Sequence, residues 1–508
     1  MAAPDTGSPD TGKWNRLSPF AVIHYVVKFL GALIQHGPQA IVPLLALLVV
    51  GGEQRWFYIG LAAAAVGALM VAGAILSYLR FRFRLADGKI LIQSGVFNRK
   101  RLTLGFDRIQ NITLMEPLYF RLFGLVAMDV ESMGSSKVEV SLGGIPRVLA
   151  EEIRKTVLSH KPAHTTARAE VEGGSESRSE TTEAPTEIIR QSTADLVRYG
   201  LSNNQTWIFA AMSSGIIVQV LTKSEIFIAL KAAIDLNTDN STILMVLFII
   251  FSILFTLFLF MVASVIGAII TNHNYHMTYL DGRFHRTRGF FERQEVTLPE
   301  GRIQTIKIRQ SWQARLLKRF QLHLNQIAFC QGSGGKHFFI PCVTEKFAVQ
   351  FSRFFYPDFD WPAMVLKKID RMFIRKKLLW TILPVSALPA IIITVVSGSI
   401  WGLLPLLLLP LSLPFLALRW VNYGYASDGK YGLVREGFVG HQLTVFPFFK
   451  VQNVVLSQSP AQKKAGLASL KIKMASSTVK IPFMPLRDAS DWRNMMLYHV
   501  ESSRKSWM

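Results

Sequence analysis

The chain has 508 residues, room for several domains, and half of them are hydrophobic. Its mean hydropathy of +0.29 is high for a soluble protein of this size, and the apolar residues are clustered, so the composition excludes an ordinary soluble fold and points to the membrane. The formal net charge of +22 raises nucleic acid as a partner, but in a membrane protein such basicity reports cytoplasmic loops and anionic headgroups.

Residues 1–37 read as a polar tail and an interfacial helix, Phe20 to Gln35, whose apolar pattern carries His24 and Lys28. With no small-residue cleavage pattern after it, this stretch is not read as a removable signal peptide. A first transmembrane hairpin is predicted over 38–79. Pro38 to Val50 is short and crosses only with part of the preceding helix tilted in, whereas Trp56 to Leu79 is a span without a charged side chain. Arg80, Arg82 and Arg84 follow it and place that end in the cytoplasm. Residues 80–160 alternate at period two and then turn to helical spacing after Pro146, as several strands closed by one helix would. Residues 161–190 are rich in Thr, Ser, Glu and Gly and read as a disordered linker.

The pattern then recurs. A hairpin is predicted over 191–271, with spans Asn204 to Leu221 and Thr242 to Ile270, and a strand-rich domain over 272–357 with its closing helix after Pro341. A basic linker, 358–377, leads to a third hairpin over 378–420 and a third domain over 421–508, whose helix opens at Pro485. The short loops at 51–55, 222–241 and 397–399 lack excess Lys and Arg. Six spans with both termini and all three domains inside therefore satisfy the positive-inside rule.

The three domains are copies of one unit. Arg108-Ile109-Gln110-Asn111-Ile112 returns as Arg302-Ile303-Gln304-Thr305-Ile306 and, more weakly, as Lys450-Val451-Gln452-Asn453-Val454. Each motif is preceded by a turn glycine, Gly95, Gly289 or Gly437, at the same spacing from the basic residue, and further upstream by Asp87-Gly88, Asp281-Gly282 or Asp428-Gly429. A fixed period of this kind marks internal duplication.

Two spans followed by such a motif in a strand-rich, helix-closed domain resemble the bacterial pleckstrin-homology-like (PH-like) membrane proteins of the YdbS/YdbT type. Three units in one chain resemble the larger, YdbT-like member. The resemblance implies three tandem units, each a transmembrane hairpin carrying a PH-like domain: a bent antiparallel sheet closed into a partly open barrel with a C-terminal helix. It also implies the bacterial cytoplasmic membrane, a smaller single-unit PH-like membrane protein as partner, and for some members a contribution to bacteriocin resistance.

At period two, Arg108, Gln110, Ile112 and Leu114 share a strand face, as do Arg302, Gln304, Ile306 and Ile308, and Lys450, Gln452, Val454 and Leu456. The polar pair then either satisfies backbone groups at a barrel rim or offers a headgroup or peptide site. Arg80, Arg82, Arg84, Arg99, Lys100 and Arg101, with Arg283, Arg286, Arg288 and Arg293 in the second copy, read as juxtamembrane basic clusters, each charge worth about 1 kcal/mol at an anionic leaflet. Arg315, Lys318 and Arg319, interleaved with Leu316, Leu317 and Phe320, read as an amphipathic turn near the membrane.

His273 and His276 lack companion ligands, and Cys330 and Cys342 have no CxxC spacing, so no metal site, disulfide framework or cofactor is expected. No Walker A, GxSxG or HExxH motif occurs, and the charge-free spans speak against ion-coupled transport. The expectation is a non-enzymatic scaffold binding a membrane partner and the anionic inner leaflet. The alternative is a component of an exporter or lipid-handling complex that uses the proline-bent third hairpin.

Overall fold

A computed structural model describes residues 14–35, 55–86, 88–95, 98–106, 109–132, 140–159, 186–202, 241–326, 338–357 and 359–503. The predicted spans at 38–50 and 204–221, and the linker through residue 185, lie outside these. The chain falls into two compact units. One gathers Met1–Ile188 and His276–Leu298, the other Ile189–Tyr275, Pro299–Phe329 and Ser333–Met508. The boundary cuts the second repeat in half.

In the first unit, α1 (Ala21–Gln35) and α2 (Arg55–Arg80) precede β1 (Arg82–Ala86), β2 (Lys89–Ser94) and β3 (Lys100–Gly105). Then come β4 (Ile109–Pro117), the short α3 (Leu118–Arg121), β5 (Leu125–Ser132), β6 (Val140–Pro146) and α4 (Arg147–Ser159). The strands β1-β2-β3 form one antiparallel sheet. It packs through Phe83, Ile90, Ile92 and Leu104 onto Ile112, Met128 and Leu142 of β4–β6 and onto Ala150, Ile153 and Val157 of α4. Pro146 ends β6 and the helix starts at the next residue, as its fixed φ favours. The start of α1 is also anchored in this core, by Leu17 and Ala21. It approaches so closely that a Cβ on Gly144 would sit 3.1 Å from that of Ala21, so the helix rests on the domain rather than on the membrane surface alone.

The second sheet does not respect the repeat boundary. It runs β6-β5-β4-β10-β9-β8-β7 and includes β7 (Thr186–Arg190), β8 (His276–Leu280), β9 (Arg283–Arg288) and β10 (Glu292–Pro299). Half of repeat two is thus paired onto half of repeat one through β4 and β10. The last five residues of the segment read as linker are in fact its edge strand β7.

In the second unit, α5 (Thr193–Leu201) packs on α6 (Ser241–Thr271), where Gly200 lies too close to Val265 to carry a side chain. Next come β11 (Ile303–Gln310), α7 (Trp312–Leu316), β12 (Phe320–Gln326), β13 (Phe338–Val343) and α8 (Glu345–Phe355). Pro341 does not open that helix. It lies in β13, beside a register shift against β12, where a missing N–H is tolerated, and Thr344 caps α8 by accepting from the Phe347 N–H.

After β14 (Lys367–Lys368) and α9 (Met372–Lys377), the chain enters α10 (Leu383–Ser397) and α11 (Leu408–Val421). It then forms β15 (Gly424–Ser427), β16 (Tyr431–Glu436), β17 (His441–Pro447) and β18 (Val451–Ser457). It closes with α12 (Pro460–Lys464), β19 (Leu467–Met474), β20 (Thr478–Pro485) and α13 (Leu486–Ser502). Here too the sheet is shared, in the order β13-β12-β11-β17-β16-β15-β14, and β18-β19-β20 stand as a separate three-stranded sheet. Repeat three surrounds one core made by Tyr425, Phe446, Phe448, Leu470, Ile481 and Trp492.

Four helices among the described residues are long and apolar enough to cross a membrane: Ala63–Arg80, Val246–Thr271, Met372–Ser397 and Ile400–Val421. Their side chains point outward, with Leu69 73%, Trp380 79% and Val396 82% exposed. The last two follow one another through Gly398 in the left-handed region (φ +63°). A π-type stretch, Leu378–Ile382, precedes Pro384, and a 3₁₀ stretch, Ile400–Leu407, contains Pro405, which is how helices absorb a missing N–H. The two helices meet at Gly402, where a Cβ would fall 2.5 Å from the Thr394 nitrogen. Gly402→Val should therefore lower the thermal midpoint of the detergent-purified chain by several degrees; an unchanged midpoint would show that the helices separate freely there.

Candidate functional site: the repeated strand

The repeated motif forms the start of β4, β11 and β18, and in each the sheet register slips at the same place. The shift lies between Ile109 and Asn111, between Ile303 and Thr305, and between Val451 and Asn453. The motif glutamine is thus the extra residue of a β-bulge in all three copies. This overturns the period-two face. What faces the core is Ile109 with Ile112 and Leu114, Ile303 with Ile306 and Ile308, and Val451 with Val454 and Leu456. The bulge lets two apolar residues three apart point the same way.

The polar members then fare differently. Arg108 lies outside the described residues, and of Gln110 only the backbone is described. Arg302 is half-buried, and Gln304 is 0% exposed, in a strand hydrogen-bonded on both sides by β12 and β17. Gln452 is exposed. Lys450 is nearly buried, and its Nζ donates to the carbonyls of Gly301 (3.0 Å) and Ile303 (2.6 Å), the backbone of the preceding copy of the motif. The basic residue of one repeat thus satisfies backbone acceptors of its neighbour.

Burial pushes the Lys450 amine down to about 8, against a smaller upward pull from Glu300. Below that pH the amine is charged in both folded and unfolded chains, and the burial penalty is present in full. Between about 8 and the ordinary lysine range the unfolded chain binds more protons, so stability rises with pH. A shift of this size corresponds to at most about 3 kcal/mol. Lys450→Met should make the rise in thermal midpoint from pH 8 to 10 shallower; an unaltered slope would mean the amine is not buried as described.

The turn glycines share one geometry. A Cβ on Gly95, Gly289 or Gly437 would lie 1.9, 2.0 or 2.1 Å from the carbonyl oxygen three residues on, that of Asn98, Glu292 or Gly440. Gly95 and Gly289 also hold φ of +103° and +108°. These glycines set the turn that starts β3, β10 and β17. Gly289→Ala should cost roughly 1–3 kcal/mol, read as a fall in the unfolding midpoint, and a neutral result would refute the required turn.

Two of the strands those glycines launch, β10 and β17, meet the motif strands β4 and β11 at the repeat junctions. In the first unit Leu114 pairs with Glu295 and Met115 with Gln294; in the second, Ile308 pairs with Leu443 and Arg309 with Gln442. Counted from the motif's basic residue and from the turn glycine, the two registers are the same. At the first junction Glu295 receives Arg147 (3.4 Å), Arg154 (3.8 Å) and Arg293 (3.2 Å), so the closing helix α4 of repeat one is tied to a strand of repeat two. At the second, Arg309 Nε donates to Gln442 Oε1 at 2.5 Å. Burial, reinforced by Arg435 and Arg315, pushes the nearby His441 down to about 4, leaving it uncharged at neutral pH. None of these junction residues stands out by type. The constant glycine-to-motif spacing was their one trace in the sequence.

Of the juxtamembrane arginines, Arg80 is exposed at the end of α2, Arg82 is exposed at the start of β1 and Arg84 is half-buried in the same strand. Arg286 and Arg288 are corrected: both are buried, 1% and 6% exposed, and Arg288 donates to Gln294 Oε1 at 3.1 Å, so neither faces a leaflet. Beside the amphipathic turn, Leu316 is 74% and Trp312 42% exposed next to Arg315 and Lys318. Cys342 is buried, its thiol pushed up to about 11 by desolvation, which keeps it inert; Cys330 lies outside the described residues.

Three segments, residues 40–161, 226–348 and 381–499, match the family model of the bacterial PH domain. The chain is also similar to the UPF0699 transmembrane protein YdbT of Bacillus subtilis (strain 168), 24% identical over 482 residues that cover 91% of this chain and 93% of that protein. No solved structure matches.

Proposed function

The chain belongs to the bacterial PH domain family, as a YdbT-like membrane protein with three such domains, and on that footing we propose that it is a non-enzymatic scaffold of the cytoplasmic membrane. In this reading each unit is a transmembrane hairpin followed by a cytoplasmic, partly open PH-like barrel. The domains lie against the anionic inner leaflet and hold a membrane partner. The observation that carries the reading is the fate of the repeated motif. Its bulge sets the strand register, its Gln304 is buried in the shared sheet, and its Lys450 bonds to the backbone of the preceding repeat rather than lining an open cleft.

Charge supports the orientation. Arg80, the run Arg375-Lys376-Lys377 and Arg419 sit at the ends of apolar helices that lead to or from the domains, where the positive-inside rule puts the cytoplasm. Exposed Trp312 and Leu316 beside Arg315 and Lys318 suit an interfacial contact. The role in bacteriocin-type peptide resistance and the smaller single-unit partner remain what the resemblance implies for this reading. The rival, export or lipid handling, draws on the π and 3₁₀ stretches around the third pair of spans. The close meeting of Gly402 with Thr394 favours packing over a conduit.

The test is purification of the full chain from its own membranes in mild detergent, followed by native mass spectrometry. Retention of a protein at fixed stoichiometry, or of anionic lipid, is expected. A lone chain that retains neither, or one carrying a hydrophobic peptide cargo, would overturn the scaffold reading.

A further inference from the structure

The two internal junctions leave the chain with one unused edge of each kind. The edge used by β4 and β11 recurs in β18, which lies at the border of its three-stranded sheet. The edge used by β10 and β17 recurs in β3, at the border of the first three-stranded sheet. Among the described residues neither has a second neighbouring strand.

Exposure marks the difference. In β11, flanked on both sides, Gln304, Thr305, Ile306 and Ile308 are all 0% exposed, whereas the corresponding Gln452 and Asn453 of β18 are exposed and Val455 is 40% exposed. An open strand is normally blunted by lysine, proline or an inward charge. From Val451 to Ser457, β18 carries none of these. The strand β3 carries such charges only at its start, Lys100-Arg101, and β18 presents no like charge to them.

We infer that β18 of one copy adds to β3 of a second copy, head to tail, in the register of the internal junctions; the inference rests on the scaffold reading and names this chain as a partner. Carrying that register over from Lys450 and Gly95 pairs Val454 with Thr103, Val455 with Leu102, Leu456 with Arg101 and Ser457 with Lys100. The junction would then be a third use of a pairing the molecule already makes twice. Because the two edges differ, the contact is heterologous, and it closes into a ring or extends as a row in the membrane plane.

The experiment uses the full chain in its native membranes, with Cys330→Ser as background and Cys342 left buried. Two differently tagged copies are co-expressed, one with Val455→Cys and the other with Leu102→Cys, and treated with a short thiol-to-thiol crosslinker. The expected result is a species of twice the chain mass carrying both tags, at least tenfold more abundant than with Val455→Cys and Arg82→Cys, which lies in β1, across β2 from the proposed contact. Val455→Lys, at an exposed position, should reduce the untreated oligomer in native mass spectrometry at least tenfold while leaving the unfolding midpoint in place. Absence of the doubly tagged species, or capture of β18 by a different protein, would overturn the proposal. If a foreign partner is retained while the copies fail to crosslink, the scaffold reading stands and only self-pairing falls.

Discussion

A β-strand at a sheet border leaves a row of backbone N–H and C=O groups to be matched, and the arrangement of this chain follows from how that demand is met. A three-stranded half-sheet cannot close over its own core and also satisfy its outer edge. Repeats two and three therefore each lend their first three strands to the sheet of the repeat before them. The shared sheets explain why the compact units divide repeat two, and why Arg147 and Arg154 on a helix of repeat one bond to Glu295 of repeat two. They explain too why Lys450 reaches the backbone of the neighbouring motif.

The parts of this that could be read from the sequence are those encoded locally. Charge-free apolar runs mark the spans, two of them closed by Arg80 and Arg419, and the four that fall among the described residues are long apolar helices. The positions of Gly95, Gly289 and Gly437 follow from a turn that no Cβ can enter, and the steric reason is the same in each copy. The recurrence of the motif identified the three domains without any knowledge of their pairing.

What could not be read depends on partners distant in the chain. A bulge is a mismatch between two strands, so a period-two reading through Gln304 and Ile306 failed where β12 sets the register. Sheet sharing joins strands well over a hundred residues apart and leaves no local pattern. Pro341 resembled Pro146 by position, but the shift in β13 absorbed it and left Thr344 to start the helix. Arg286 and Arg288 resembled leaflet-binding residues by composition, and only the placement of β9 shows them turned inward.

Shared sheets also set a schedule for synthesis. The strand β4 ends at Pro117, and the strand that covers it begins only at Glu292. At about 5–20 residues per second the ribosome takes on the order of ten to thirty seconds to deliver it. Throughout that interval an apolar, bulged edge stands bare at the membrane surface while at least one more helix is inserted. The same wait recurs between β11 and β17, so the early domains cannot mature as independent bodies. Any delay in inserting the intervening helices becomes a period in which two nascent chains can pair wrongly at the edges they are both still holding open.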